Sequence, residues 1–136
     1  MKNVTLNEYK EIVSEYWKGN VTSQELDQYE IVLEIPPTHE SEFINNLVTR
    51  FCDDQRQEEN RILYMGQSRF LNRNELVENG FSYVSEWSDG YREVFISEQH
   101  NAIVTTCEGD LSVSLTDSNE AYKNEIDRCT EFYNEY

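Results

Sequence analysis

Between residues 91 and 136 the spacing of the apolar residues changes from every second position to every third or fourth, and this change limits the chain to few folds. Residues 111–116 alternate between apolar and small polar side chains, and residues 102–107 alternate in a similar way, which predicts two β-strands. Glu-Gly-Asp at 108–110 predicts a tight turn between them, because Gly can adopt a positive φ there. We therefore expect a β-hairpin followed by a helix.

The predicted helix begins near Asp117 and is amphipathic. Asp117 and Glu120 have the spacing of a capping box, and no Gly or Pro interrupts the residues that follow. Residues spaced by four and three positions share one helix face: Tyr122, Ile126, Cys129, Tyr133 and Tyr136. The acidic residues fall largely on the opposite side: Glu120, Asp127, Glu131 and Glu135. We expect the first set to be buried and the second to face water.

Upstream segments predict a mixed fold. Residues 81–87 are expected to form a strand before a turn at Asp89-Gly90, so the C-terminal half holds about four antiparallel strands whose apolar face the last helix covers. The earlier predicted elements are a helix at 5–19, a strand at 29–35, a helix at about 38–55, a loop up to residue 60, a strand at 62–65 and a helix at 72–79. The fold class is α+β with an antiparallel meander, and the length predicts one domain, 1–136.

The composition indicates a folded and strongly acidic protein. The 136 residues carry a net charge of −16, and 12% of them are aromatic, which argues against disorder. The three Cys lack any C-x-x-C spacing and predict free thiols in a reducing cytoplasm. The N-terminus lacks the apolar core of a signal peptide, and no segment reaches the ~18 apolar residues of a membrane span. We expect a cytoplasmic protein without membrane contact.

Motifs for catalysis and for metal binding are absent from the sequence, which favours a protein that is not an enzyme and needs no cofactor. No P-loop, G-x-S-x-G, H-E-x-x-H or G-x-G-x-x-G motif occurs. His39 and His100 are interpreted as solvated surface residues, because no nucleophile accompanies them in a motif. The Arg residues between 50 and 73 are interleaved with acids, which favours a mixed ion-pair surface over a nucleic-acid site.

The acidic C-terminal segment is the strongest candidate for a functional surface. The negative charge disfavours nucleic acid and anionic membranes as partners and favours a basic protein. Carboxylates one helical turn apart repeat about every 6 Å, so a groove built for a phosphate backbone could accept them. The candidate partner-binding residues are Glu108, Asp110, Glu120, Asp127, Glu131, Glu135 and Tyr136. The alternative is that these carboxylates form only a solvated surface.

The segment from Cys107 to Val113, continued by Ala121-Tyr122 and Phe132-Tyr133, resembles the C-terminal part of small acidic proteins carried by phages and mobile elements of Gram-positive bacteria. Some small acidic phage proteins are anti-defence inhibitors, including anti-CRISPR proteins and other nucleic-acid mimics. The resemblance implies an inhibitor and implies no catalytic residues.

The leading hypothesis is a non-enzymatic inhibitor, monomeric or weakly dimeric, that blocks the nucleic-acid site of a basic protein such as a CRISPR effector nuclease by acting as a DNA mimic. The second is an immunity protein that neutralises a cognate bacterial toxin, since such proteins are also small, acidic and α+β. The third is a small enzyme, which would need a pocket that gathers His39 or His100 with two carboxylates.

Overall fold

A computed structural model describes residues 2–33 and 39–134 and confirms the α+β fold class. The contacts between residues divide the chain into two compact units, Met1–Pro36 and Pro37–Tyr136. The single domain expected from the chain length stays a prediction.

The N-terminal unit is a small arrangement of two strands and two helices. Its elements are β1 (Lys2–Val4), α1 (Leu6–Trp17), α2 (Ser23–Leu26) and β2 (Tyr29–Ile31), and the two strands pair in parallel. Thr5 caps α1 in the predicted capping box with Glu8. β1 was not predicted, and the strand predicted at 29–35 ends at Ile31; residues 34 and 35 lie outside the described residues.

The C-terminal unit contains a six-stranded antiparallel sheet with the strand order β3-β4-β8-β7-β6-β5. Its elements are α3 (Glu42–Phe51), β3 (Cys52–Glu58), β4 (Arg61–Gln67), α4 (Arg73–Glu78), β5 (Ser82–Tyr83), a 3₁₀ turn (Ser85–Trp87), β6 (Arg92–Ser97), β7 (Ala102–Cys107), β8 (Asp110–Thr116) and α5 (Asn119–Asn134). The predicted meander of four strands is therefore the larger part of this sheet. The predicted start of the second helix near residue 38 lies outside the described residues.

Two segments of this unit differ from the predictions. Residues 52–58 form β3 directly after α3, where a helix end and a loop were expected. β3 is an edge strand, where charged side chains can reach water, so its polar sequence gives no strand pattern. Residues 81–87 are not one strand, because the chain turns at Val84 and directs Trp87 into the core.

The two faces of the sheet bury different sets of side chains. Directly paired residues share a face, so one row is Tyr64, Val113, Val104 and Phe95 and the adjacent row is Leu63, Ser114, Ile103 and Ile96. The first row is buried on the face opposite α5, and the second lies on the face that α5 covers. The last helix was expected to cover an apolar face of these strands, and α5 does so at Val94 and Ile103. Leu111 and Val113 lie on the opposite face.

The start of β3 approaches β4 closely at Gly66. A Cβ atom at this position would overlap the carbonyl oxygen of Phe51 and come within 2.6 Å of the Cα atom of Cys52. An irregularity in the pairing between Cys52 and Asp54 lies beside this contact. Gly66 is therefore required for the passage from α3 into the sheet.

Candidate partner-binding surface

The helix that carries most of the candidate residues begins one residue later than predicted. Ser118 caps α5, since its Oγ accepts a hydrogen bond of 3.1 Å from the backbone N–H of Ala121. The backbone N–H of Asp117 instead donates to the carbonyl oxygen of Asn60 over 3.0 Å. The capping role expected of Asp117 is therefore wrong.

The predicted apolar stripe of α5 faces the sheet. Tyr122 is buried with Trp87, Val94 and Ile103, and the side chains that follow it on the stripe pack against this cluster: Ile126, Cys129 and Tyr133. The rings of Tyr133 and Trp87 stack with their centroids 5.5 Å apart, and the guanidinium of Arg92 lies 4.6 Å from the centre of the Tyr133 ring. These contacts fix the rotation of α5 about its axis. Tyr136, the last predicted member of the stripe, lies outside the described residues.

This rotation turns a row of carboxylates outward. Glu120, Asp127 and Glu131 are all exposed, and with 3.6 residues per turn they return to nearly the same angle, opposite the buried stripe. The row is about 16 Å long from end to end. We call these three residues the acidic row. Asn124 lies within it, and Glu135 falls outside the described residues.

The β7–β8 turn places Glu108 and Asp110 at one end of the sheet. Asp110 pairs with Cys107, and Cys107 pairs with Arg92, so Asp110 shares the face that α5 covers. Because Arg92 contacts Tyr133 near the end of α5, Asp110 belongs to the same end of the face as Glu131. Glu120 lies at the other end of the helix.

The turn itself has the geometry of a tight hairpin. Glu108 and Gly109 both adopt positive φ, 50° and 91°, as a type I′ turn requires. Both Glu108 and Asp110 are exposed, and no ion pair among the described residues involves either carboxylate. Glu108 and Asp110 in the turn therefore lie at the same end of the unit as Glu131 on α5, with Asp127 one helical turn away. Glu120, the third member of the acidic row, lies at the opposite end of α5.

Two strongly exposed aromatic residues flank this turn, and the sequence analysis missed both. Phe70 is 82% exposed and Tyr91 is 74% exposed. The backbone N–H of Ser68 donates to the carbonyl oxygen of Gly109 over 2.8 Å, and the N–H of Glu108 donates to the carbonyl oxygen of Tyr91 over 3.2 Å. The position of Tyr91 directly after the turn at 89–90 was a signal in the sequence, whereas nothing marked Phe70.

A buried carboxylate on α5 was also missed. Glu125 is 8% exposed, accepts a hydrogen bond of 2.9 Å from Arg61 Nη1, and lies 3.4 Å from Arg128 Nη1. Arg61 also donates to Glu58 over 2.9 Å, and this bond lowers the pKa of the Glu58 carboxyl. Burial lowers the pKa of Arg61, but its two acidic partners outweigh burial and raise that pKa overall. The network joins α5 to the β3–β4 hairpin. A cavity of about 300 Å³ beside Arg61 is lined by His39 together with the acids Glu58, Glu59 and Asp117, which is the combination that the enzyme hypothesis requires. A second cavity of similar volume is lined by Arg61, Glu125 and Arg128.

His100 is buried and His39 is half-buried, and both rings are hydrogen-bonded within the unit, so the expectation of solvated surface side chains is wrong. His100 is buried, stacks on Phe81, and has its Nε2 atom 2.8 Å from the carbonyl oxygen of Asn79. His39 Nδ1 accepts a hydrogen bond from the N–H of Ser41, so in the neutral ring Nε2 carries the proton and donates to the carbonyl oxygen of His100 over 2.9 Å. Both rings serve as structural hydrogen-bonding groups.

The fold and surface described above define an α+β protein with an acidic row on its last helix, and comparisons with known proteins add no relative. No protein-family model matches the sequence, and neither a curated protein nor a solved structure is significantly similar to it. Within residues 2–33 and 39–134, no group of three or more His, Cys, Asp or Glu could hold a metal ion. None of the helices in these ranges is long and apolar enough to cross a membrane.

Proposed function

We propose that this protein is a non-enzymatic inhibitor that binds a basic, nucleic-acid-handling protein and blocks its nucleic-acid site. The binding surface is the acidic row of α5 together with Glu108 and Asp110 in the β7–β8 turn. The observation that supports the proposal best is the position of the acidic row, directly opposite the buried stripe of α5.

The chemistry of such a surface suits a site that ordinarily holds phosphates. Arg and Lys side chains that bind phosphate also bind carboxylate through charge-assisted hydrogen bonds. Asp127 and Glu131 are four residues apart, which separates them by about 6 Å along the helix axis. The net charge of −16 would attract a basic partner over a long range and raise the association rate.

The test begins with capture of the partner from the native host, its identification by mass spectrometry and its purification. Binding is then measured by surface plasmon resonance for wild type and for the triple variant Glu120→Lys, Asp127→Lys and Glu131→Lys. The control variant carries the same charge change at three exposed acids outside the surface: Glu11→Lys, Glu78→Lys and Glu98→Lys. Circular dichroism checks that both variants remain folded.

The acidic-row variant should lose binding, with most of the loss in the association rate, while the control retains most of its affinity. Wild-type binding should weaken steeply as salt rises, and nucleic acid pre-loaded on the partner should compete. If the row variant binds no worse than the control, the proposed surface is wrong. If nucleic acid does not compete, the mimicry is wrong, and neutralisation of a toxin becomes the better hypothesis.

A further inference from the structure

The β7–β8 turn is the centre of a composite surface at one end of the six-stranded sheet. Ser68 follows β4 and hydrogen-bonds to Gly109 on one side of the turn, and Tyr91 precedes β6 and hydrogen-bonds to Glu108 on the other side. Three chain segments, residues 68–70, residue 91 and residues 107–110, are therefore tied together by backbone bonds. We call them the turn surface.

The side chains of the turn surface have an unusual composition for solvated residues. Phe70 and Tyr91 are 82% and 74% exposed, and the carboxylates of Glu108 and Asp110 lie between the segments that carry them. Aromatic residues are enriched at protein interfaces, whereas Asp and Glu are depleted there, so carboxylates beside exposed rings indicate a partner with a cationic side chain. Neither ring has a ring–ring or cation–π partner within the described residues, so both faces are available to a partner.

We propose that the turn surface binds an arginine-bearing segment of the basic partner, with a guanidinium stacked on Phe70 or Tyr91 and hydrogen-bonded to Glu108 or Asp110. This inference rests on the proposed function for the existence of a basic partner, and it adds the type of side chain that is recognised. Arginine fits better than lysine because its planar group stacks on rings and donates two parallel hydrogen bonds to one carboxylate. The same protein already pairs a guanidinium with an aromatic ring at Arg92 and Tyr133.

The cations near the turn surface set the local charge. Arg73 forms an ion pair with Glu93 over 2.6 Å, and Arg92 lies 3.8 Å from Asp89, so each has an acidic partner. Arg69 is exposed between Ser68 and Phe70 and forms no ion pair among the described residues. An incoming arginine would be repelled by Arg69, so Arg69→Gln should strengthen binding.

The proposal can be tested without the partner, on the full-length chain labelled with ¹⁵N. Three short peptides serve as probes, in which Gly alternates with Arg, Lys or Glu, and backbone chemical shifts are followed up to millimolar peptide. The test variants are Phe70→Ala and Tyr91→Ala. Trp17→Ala is the matched control, because Trp17 is an aromatic residue of similar exposure, 79%, in the N-terminal unit.

The Arg peptide should shift the amides of residues 68–70, 91 and 107–110 and should bind more tightly than the Lys peptide, while the Glu peptide should have no effect. Loss of at least one of the two rings should weaken Arg-peptide binding about two- to five-fold, as expected for an exposed cation–π contact, and Trp17→Ala should not change it. Absence of shifts in these residues, or equal binding of the Arg and Lys peptides, overturns the proposal. Shifts confined to Glu120, Asp127 and Glu131 would overturn it while leaving the proposed function intact.

Discussion

Gly66 shows at the residue scale how one missing side chain permits the fold. Gly66→Ala should destabilise the protein by about 1–3 kcal/mol, the usual cost of overpacking, because the new methyl group would overlap the backbone at Phe51 and Cys52. Urea denaturation followed by circular dichroism measures the loss. Gly90→Ala is the control, since no atom lies within 4 Å of a Cβ there. Equal stability of the two variants would mean that α3 and β4 do not approach as described.

The buried thiol of Cys52 should make the protein less stable as the pH rises above 9. Burial raises the pKa of Cys52 from 9.0 to about 12, and burial likewise raises the pKa of Cys129 to about 11. The thiolate is therefore favoured in the unfolded chain, so the contribution to stability is complete below pH 9 and is lost as pH rises toward 12.

The free energy of unfolding, measured with urea between pH 8 and pH 11, should accordingly fall with pH. Cys52→Ala should be less stable at pH 8 because of the cavity it leaves, but its stability should fall less steeply. Cys107→Ser, at an exposed position, should keep the wild-type slope. The slope will not vanish in Cys52→Ala, because burial also raises the pKa of the phenols of Tyr64, Tyr122 and Tyr133. Equal slopes in wild type and Cys52→Ala would contradict the burial of this thiol.

At the scale of elements, the sequence was informative wherever one face of an element is uniformly buried. α5 follows its stripe closely, and β7 and β8 alternate as predicted. β3 escaped prediction because its edge position lets acidic and amide side chains remain in contact with water. The sequence did not say which sheet face α5 covers, because both faces are partly apolar and local alternation does not relate a helix to a face.

Long-range pairs were the other limit of prediction. Arg61 and Glu125 are 64 residues apart and meet only because β4 lies beside β8 and beneath α5. Likewise, Phe70 lies beside the β7–β8 turn because Ser68 and Gly109, which are distant in sequence, are joined by a backbone hydrogen bond. The acidic row was predictable, since it follows from helical periodicity alone, whereas the turn surface required the strand order.

Ile126→Asp tests the orientation of α5. Ile126 packs against the cluster of Trp87, Val94, Ile103 and Tyr122, so a carboxylate there would be partly buried without a partner. We expect a loss of about 2–4 kcal/mol, within the range for core substitutions that introduce an unpaired charge. The control is Asn124→Asp, which adds the same charge on the exposed side of the helix. Thermal melts that coincide for the two variants would show that the stripe is not buried.

On the scale of the whole molecule, the two units are stabilised to different degrees. Within the described residues, Val4 is the one buried hydrophobic side chain of the N-terminal unit, and α1 has no buried residue. The C-terminal unit buries both faces of its sheet. Most of the hydrophobic stabilisation therefore belongs to residues 39–134.

Because the net charge is −16, added salt should stabilise this protein, whereas it would destabilise a protein that depends on ion pairs. Raising NaCl from 0.01 M to 0.15 M shortens the Debye length from about 30 Å to about 8 Å, which screens the mutual repulsion of the carboxylates. The same salt weakens the ion pairs, but exposed pairs contribute little, and the described pairs are mostly exposed or half-exposed. The melting temperature should therefore rise over this interval.

The variant with Glu11, Glu78 and Glu98 changed to Lys has less repulsion to screen, so its melting temperature should rise less. A melting temperature that falls with salt in wild type would mean that the ion pairs, above all the buried one between Arg61 and Glu125, outweigh the repulsion.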